Sequence, residues 1–290
     1  MSGFLPTEKG TPIRYPSVAN LMIDSDDRDA AYPSPWDFQI TRFNNLQNGF
    51  FTRIAATELV LDWCEPNIGI GNDVIGFDIS GVGANTYNNT VSVNLPTGFY
   101  TVQQVLDKIV DDLNALTGAP ENTGATFQIT GEGQNTYLDC SGAVFYVLQT
   151  NGLSASLEFP EDDVYRAAQK VGDCPDLRIY KYIDFVSEQL TYAQDVKDAA
   201  SQQFNRNVLA RWYMAWDGQP QLDPYGFPIL MGYTSFVARR DYNTPKMIKW
   251  NSQLPVGNLA FQVYDNRGGL LLQFAQGQSS WQMNLQLSEV

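Results

Sequence analysis

Hydrophobic and polar positions alternate without a break near the C-terminus, where Trp281, Met283, Leu285 and Leu287 are interleaved with Gln282, Asn284, Gln286 and Ser288. A period of two turns one side of a strand to a core and the other to water. Similar runs recur through the second half, at 177–186, 208–216, 228–239, 247–250 and 259–264, separated by clusters of turn residues. The first 66 residues repeat the pattern. Leu21, Met22 and Ile23 precede the acidic turn Asp24, Ser25, Asp26, Asp27, Arg28, Asp29, after which Pro33 and Pro35 stiffen the backbone ahead of an alternating 36–40 run. A longer strand is predicted over 51–63, ending at Pro66. Residues 1–19 hold Pro6, Pro12 and Pro16 with no sustained alternation and read as an extended N-terminal arm.

The middle of the chain changes period. After two short strand candidates at 74–79 and 91–95, Thr101 and Gln104 form a capping box. Val102, Val105, Leu106, Ile109, Val110, Leu113 and Leu116 then fall on one helical face before Gly118. Short strands are expected at 126–130, 136–140 and 144–148, and a second helix at 160–171. Residues 67–176 thus read as a small inserted α+β module, with 20–66 and 177–290 supplying about eight strands, the number a jelly roll requires. The predicted fold class is mainly β, a single jelly-roll sandwich with that insertion. Strand-favouring aromatics (16 Phe, 15 Tyr, 6 Trp) support it over a helical bundle.

Charge narrows the partners. Eighteen Lys plus Arg stand against 32 Asp plus Glu, a formal charge of −14, the wrong sign for gripping a phosphate backbone, so no direct nucleic-acid binding is expected. Neither a secretory leader pattern nor an apolar run long enough to span a bilayer is visible, and a soluble chain made in the cytosol is expected. Cys64, Cys140 and Cys174 share no metal-ligand spacing and are expected as buried free thiols.

Histidine is missing from the sequence, which removes the commonest general base and metal ligand and, with them, the Ser-His-Asp and Cys-His constellations. Asp24, Asp26, Asp27 and Asp29, or Asp111 and Asp112, are nominal carboxylate pairs, but they read as a solvated turn and a solvated helix face. The first cluster also lacks the glycine and terminal glutamate of a calcium loop, so no metal or cofactor is expected. Gly69, Gly71, Gly81 and Gly83 are turn residues, with no phosphate-loop sequence around them. Arg239, Arg240, Lys246 and Lys249, interleaved with Tyr242 and Trp250, form a basic cluster of a pattern that can touch nucleic acid but, in so acidic a chain, better suits a neighbouring subunit's carboxylates.

Four strings, in order, carry a family resemblance. Residues 22–29 with 32–38 (M-I-D-S-D-D-R-D, then Y-P-S-P-W-D-F) are followed by L-P-T-G-F-Y-T at 95–101, I-D-F-V-S-E-Q-L-T-Y-A-Q-D-V-K-D-A-A at 183–200 and P-K-M-I-K-W at 245–250. Together with the 259–268 segment and the last strand, they resemble the penton and minor capsid proteins of nucleocytoplasmic large DNA viruses, virophages and polinton-like viruses. The resemblance touches about a third of the chain and spans both ends.

It implies a non-enzymatic capsid subunit of the virion, made in the host cell cytoplasm. The expected form is a homopentamer at an icosahedral fivefold vertex, touching the major capsid protein. Other minor capsid proteins and a host surface receptor are further candidate partners. The alternatives are a minor capsid protein cementing capsomers and a receptor-binding spike or vertex head. Asp24, Asp26, Asp27, Arg28, Arg239, Arg240 and Lys246 are the candidate subunit-interface residues.

Overall fold

The structure, a computed structural model, describes residues 5–6, 12–13, 18–41, 51–81, 88–117, 125–149, 152–191, 208–214, 221–249, 258–266, 269–271 and 279–289. In chain order the first strands are β1 (Leu5–Pro6), β2 (Pro12–Ile13), β3 (Val18–Asp24), β4 (Asp37–Thr41) and β5 (Arg53–Trp63). Then come β6 (Val74–Gly81), β7 (Asn88–Asn94), helix α1 (Val102–Thr117), β8 (Thr126–Thr130), β9 (Tyr137–Ser141), β10 (Ala143–Leu148), α2 (Gly152–Ser156) and β11 (Ala168–Lys170). The remainder is β12 (Tyr182–Val186), α3 (Glu188–Thr191), β13 (Val208–Tyr213), β14 (Phe236–Asp241), β15 (Ile248–Lys249), β16 (Asn258–Asp265) and β17 (Ser280–Ser288).

Two compact units divide the chain. One takes residues 1–63, 182–213 and 237–290, the other 64–181 and 214–236. The first is the jelly roll. Its sheets run β14-β5-β17-β3 and β13-β12-β16-β4. Counted along the chain, these eight strands lie in the orders first-eighth-third-sixth and second-seventh-fourth-fifth, the interleaving that two Greek keys produce. Between the facing sheets sits Trp281, from β17. Its ring meets Phe38, Phe185 and Phe261 of the other sheet at centroid distances of 5.5, 4.9 and 5.5 Å. The indole N–H donates to the Pro35 carbonyl at 2.7 Å, so its one polar group is satisfied inside the core.

The second unit comprises two three-stranded sheets, β10-β6-β7 and β11-β9-β8, with α1. The capping box forms as predicted: the Thr101 amide donates to Gln104 Oε1 at 2.9 Å and the Gln104 amide to Thr101 Oγ1 at 3.3 Å. Val102, Val105, Leu106, Ile109 and Leu113 are buried against Phe127, Leu138 and Phe145. From the same helix, Asn114 exchanges two hydrogen bonds with the backbone of Phe127, at 2.9 and 2.7 Å, and so anchors β8.

The structure differs from the sequence reading at several points, the first being that the inserted unit runs over 64–181 where 67–176 was expected. Residues 214–236, expected in the jelly roll, belong to the inserted unit because Asp223 anchors them there. That carboxylate accepts from the amides of Gln103, Tyr225 and Phe227, all at 3.0 Å, while Phe227 and Tyr233 fill the inserted core. Residues 160–171 are not helical; they bridge Arg166 to Phe145 and end in β11, where Gln169 is buried with its carboxamide donating to the Phe145 and Val164 carbonyls. Of the three thiols only Cys140 is buried, Cys64 being half-buried and Cys174 exposed. Within the predicted arm, β1 and β2 pair antiparallel, and Val18 and Ala19 already belong to β3. The remaining arm positions lie outside the described residues, as do Gly83, Gly118, residues 192–200 and Trp250.

Candidate assembly surface

The acidic turn is built to close the sandwich. Asp24 precedes a single 3-10 turn over Ser25–Asp27 and accepts from the Asp26 amide at 2.9 Å, the geometry of an N-cap. Its other oxygen accepts from Gln282 of β17 at 2.7 Å. Ser25 is fully buried, and its hydroxyl accepts the Trp281 amide at 2.9 Å. Arg28 curls back over the turn, donating to the carbonyls of Ser25 (2.8 Å) and Tyr32 (3.1 Å) and to Asp26 (3.1 Å). Asp29 then takes the outer edge of β4: its amide donates to the Gln39 carbonyl at 2.9 Å and its carboxylate accepts the Thr41 amide at 3.2 Å. The D-S-D-D-R-D string therefore encodes a connection between the two sheets. Asp26 keeps 71% of its side chain exposed, and Asp27 is also at the surface.

The basic cluster is equally occupied. Three of its side chains reach carbonyls along the outer edge of β13: Arg240 to Tyr213 at 3.4 Å, Tyr242 to Arg211 at 2.9 Å and Lys246 to Val208 at 3.1 Å. Arg240 also lies over the Trp212 ring, 4.6 Å from its centroid, a cation–π contact. Burial pushes the Tyr242 phenol up to about 12. Arg239 points the other way. It bridges Glu58 at 3.0 Å and Asp241 at 3.1 Å with 62% of its side chain exposed.

These seven residues are not brought together as one patch. They serve three places: the turn between β3 and β4, the edge of β13, and the outer face of the β14-β5-β17-β3 sheet. On that last face lies an exposed apolar set, Val18 (59%), Met22 (66%) and Val237 (70%), which the sequence reading did not single out. Outward positions in alternating strands are its signal: Val18 and Met22 stand opposite Ser288 and Asn284, on the polar side of β17.

Also missed was the pair Asp184 and Arg211, directly opposite one another on β12 and β13. Two parallel hydrogen bonds of 2.6 and 2.7 Å join them. Arg211 lies over Tyr182 at 4.1 Å from the ring centroid and 5.8 Å from that of Tyr213. Its side chain is 15% exposed and that of Asp184 12%. The hydrogen bond to Asp184 raises the guanidinium pKa further. Of the cysteines, Cys140 has its thiol pushed up to about 11 by burial, which keeps it protonated and inert at neutral pH. Among the described residues no group of three or more Asp, Glu or Cys is arranged to hold a metal ion.

The class this geometry defines is a single jelly roll carrying an inserted α+β unit. The mavirus penton protein is similar in fold: its crystal structure superposes with a TM-score of 0.54 at 13% sequence identity, covering 96% of this chain and 100% of that chain. No family model and no curated protein matches the sequence.

Proposed function

We propose that the chain is the penton subunit of an icosahedral double-stranded DNA virus capsid, assembling as a homopentamer at the fivefold vertex and resident in the virion. The observation that supports this reading is likeness of fold over 96% of the chain to the mavirus penton protein. In this reading its work is assembly and not catalysis, and the surrounding major capsid protein is its principal partner. A five-membered ring needs a heterologous contact, two different surfaces on each copy, that closes after five rotations.

One such surface is the outer face of the β14-β5-β17-β3 sheet, where Val18, Met22 and Val237 lose water on contact while Arg239 supplies a charge for register. Asp26 and Asp27 offer carboxylates to a neighbour; Asp24, Arg28, Arg240 and Lys246 act by holding the surface in shape. Native mass spectrometry of the purified 32.4 kDa chain tests the ring. Five copies are expected; a stable monomer or trimer overturns the penton role and favours a cement or spike subunit. Deleting residues 1–17 is expected to leave a folded subunit that enters particles poorly, and normal incorporation refutes a role for the arm.

A further inference from the structure

Two places in the molecule set a pair of tyrosines beside an aspartate, and only one of them holds an arginine. In the jelly roll, Tyr182 and Tyr213 stand with ring centroids 6.0 Å apart beside the carboxylate of Asp184, and the guanidinium of Arg211 occupies the space they define. In the inserted unit, Tyr146 and Tyr165 meet at 5.0 Å, nearly perpendicular, beside the carboxylate of Asp78. Tyr165 donates to Asp78 Oδ1 at 2.9 Å and Tyr146 to Oδ2 at 3.4 Å. Tyr146 stands opposite Asp78 on paired strands β10 and β6, as Arg211 stands opposite Asp184 on β13 and β12. Among the described residues no arginine or lysine reaches Asp78. The nearby Arg166 is engaged by Asp162 through two bonds of 2.6 and 2.7 Å.

We infer that the Tyr146–Tyr165–Asp78 site takes an arginine side chain presented by a basic segment of a partner protein. Three observations converge on that occupant. The two phenols fix the carboxylate in place with lone pairs left to accept a guanidinium, which binds best in a planar, bidentate manner. Tyr165 is 39% exposed and its neighbour Val164 50%, so one ring and an apolar flank are open to a stacking cation. The inserted unit also has the complementary field: residues 64–181 and 214–236 hold 17 Asp plus Glu against 5 Lys plus Arg, a net −12 of the chain's −14. A second inserted unit is repelled by that field, and so are anionic glycans and phosphate groups. This binding is a property of the single chain and stands or falls separately from the penton reading.

The test is fluorescence anisotropy with the full-length chain and a labelled hexa-arginine peptide, set against hexa-lysine and a neutral Gly-Ser peptide. Arginine is expected to bind more tightly than lysine, and the neutral peptide not at all. Asp78→Asn and Tyr165→Ala are each expected to weaken arginine binding about two- to five-fold, while Tyr165→Phe, which keeps the ring but loses the bond that steadies the carboxylate, falls between wild type and Tyr165→Ala. Glu132→Gln removes an equal charge from an exposed site elsewhere in the unit and is expected to change little. The inference is overturned if the wild-type chain does not bind the arginine peptide, if Asp78→Asn leaves binding intact, or if Glu132→Gln weakens it as much as Asp78→Asn does. Binding of a neutral oligosaccharide at the same tyrosines in place of the peptide overturns it as well. Because Asp78→Asn is nearly isosteric, it decides the matter should Tyr165→Ala fail to fold.

Discussion

The two units of the chain use aromatic residues and charge in opposite ways. All four tryptophans among the fully buried large side chains, Trp36, Trp63, Trp212 and Trp281, are in the jelly roll, whereas the inserted unit relies on phenylalanines and aliphatic residues gathered around α1. The jelly roll holds 15 acidic against 13 basic side chains and is nearly neutral; the inserted unit carries almost all of the net charge. Acidity read from the whole sequence thus describes one unit and not the other. A near-neutral body can approach another copy of itself without long-range repulsion, while a strongly acidic module selects for basic partners.

The largest effect expected to break this comparison comes from Trp281→Ala. Removing the ring that joins the two sheets is expected to cost about 3–5 kcal/mol. Because the buried tryptophans report on the jelly roll and α1 reports on the insertion, urea unfolding followed by fluorescence should shift more than unfolding followed by circular dichroism at 222 nm. Equal shifts would mean that the two units unfold as one. Next is Arg211→Ala, which strands Asp184 in a largely covered position and should cost about 2–3 kcal/mol. Replacing both partners, Arg211→Met with Asp184→Leu, should recover most of that loss in the same melt.

In the inserted unit, Asp223→Ala removes three backbone hydrogen bonds and the link between 221–230 and the start of α1. A loss of about 1–2 kcal/mol is expected, visible in the helical signal ahead of the fluorescence. Smallest is Tyr242→Phe, about 1 kcal/mol at neutral pH for one lost hydrogen bond. Its sign with pH follows from burial. A phenol raised from about 10 unfolded to about 12 folded contributes stability that is complete below pH 10 and is lost as pH rises to 12. Tyr242→Phe should remove that component from the alkaline melting curve; an unchanged curve refutes the buried assignment.

Much of the jelly roll was legible because each of its strands carries its own period. Residues 281–287 announced β17, and the capping box announced α1, since both signals are local. The inserted unit's second segment was not legible, because residues 214–236 look like any run of turns until Asp223 finds the amide of Gln103, 120 positions away. Residues 160–171 misled for a related reason. Val164, Ala168 and Val171 have helical spacing, but the backbone there is satisfied by β9 and β10, and Gln169 bonds from inside where a helix would expose or omit it. The candidate interface shows the same limit. Arg240 and Lys246 read as exposed charges in one dimension, and only the folded edge of β13 reveals which carbonyls they serve.

That edge has a consequence for the isolated chain. The β13-β12-β16-β4 sheet meets Arg240, Tyr242 and Lys246 at one margin and Asp29 at the other, so neither side offers a clear ladder for a foreign strand to extend. Extension of this sheet by a foreign strand is disfavoured at both borders. Edge-to-edge pairing through these two borders accordingly requires the sheet's own side chains to let go first, which ties it to unfolding and not to encounters between native chains.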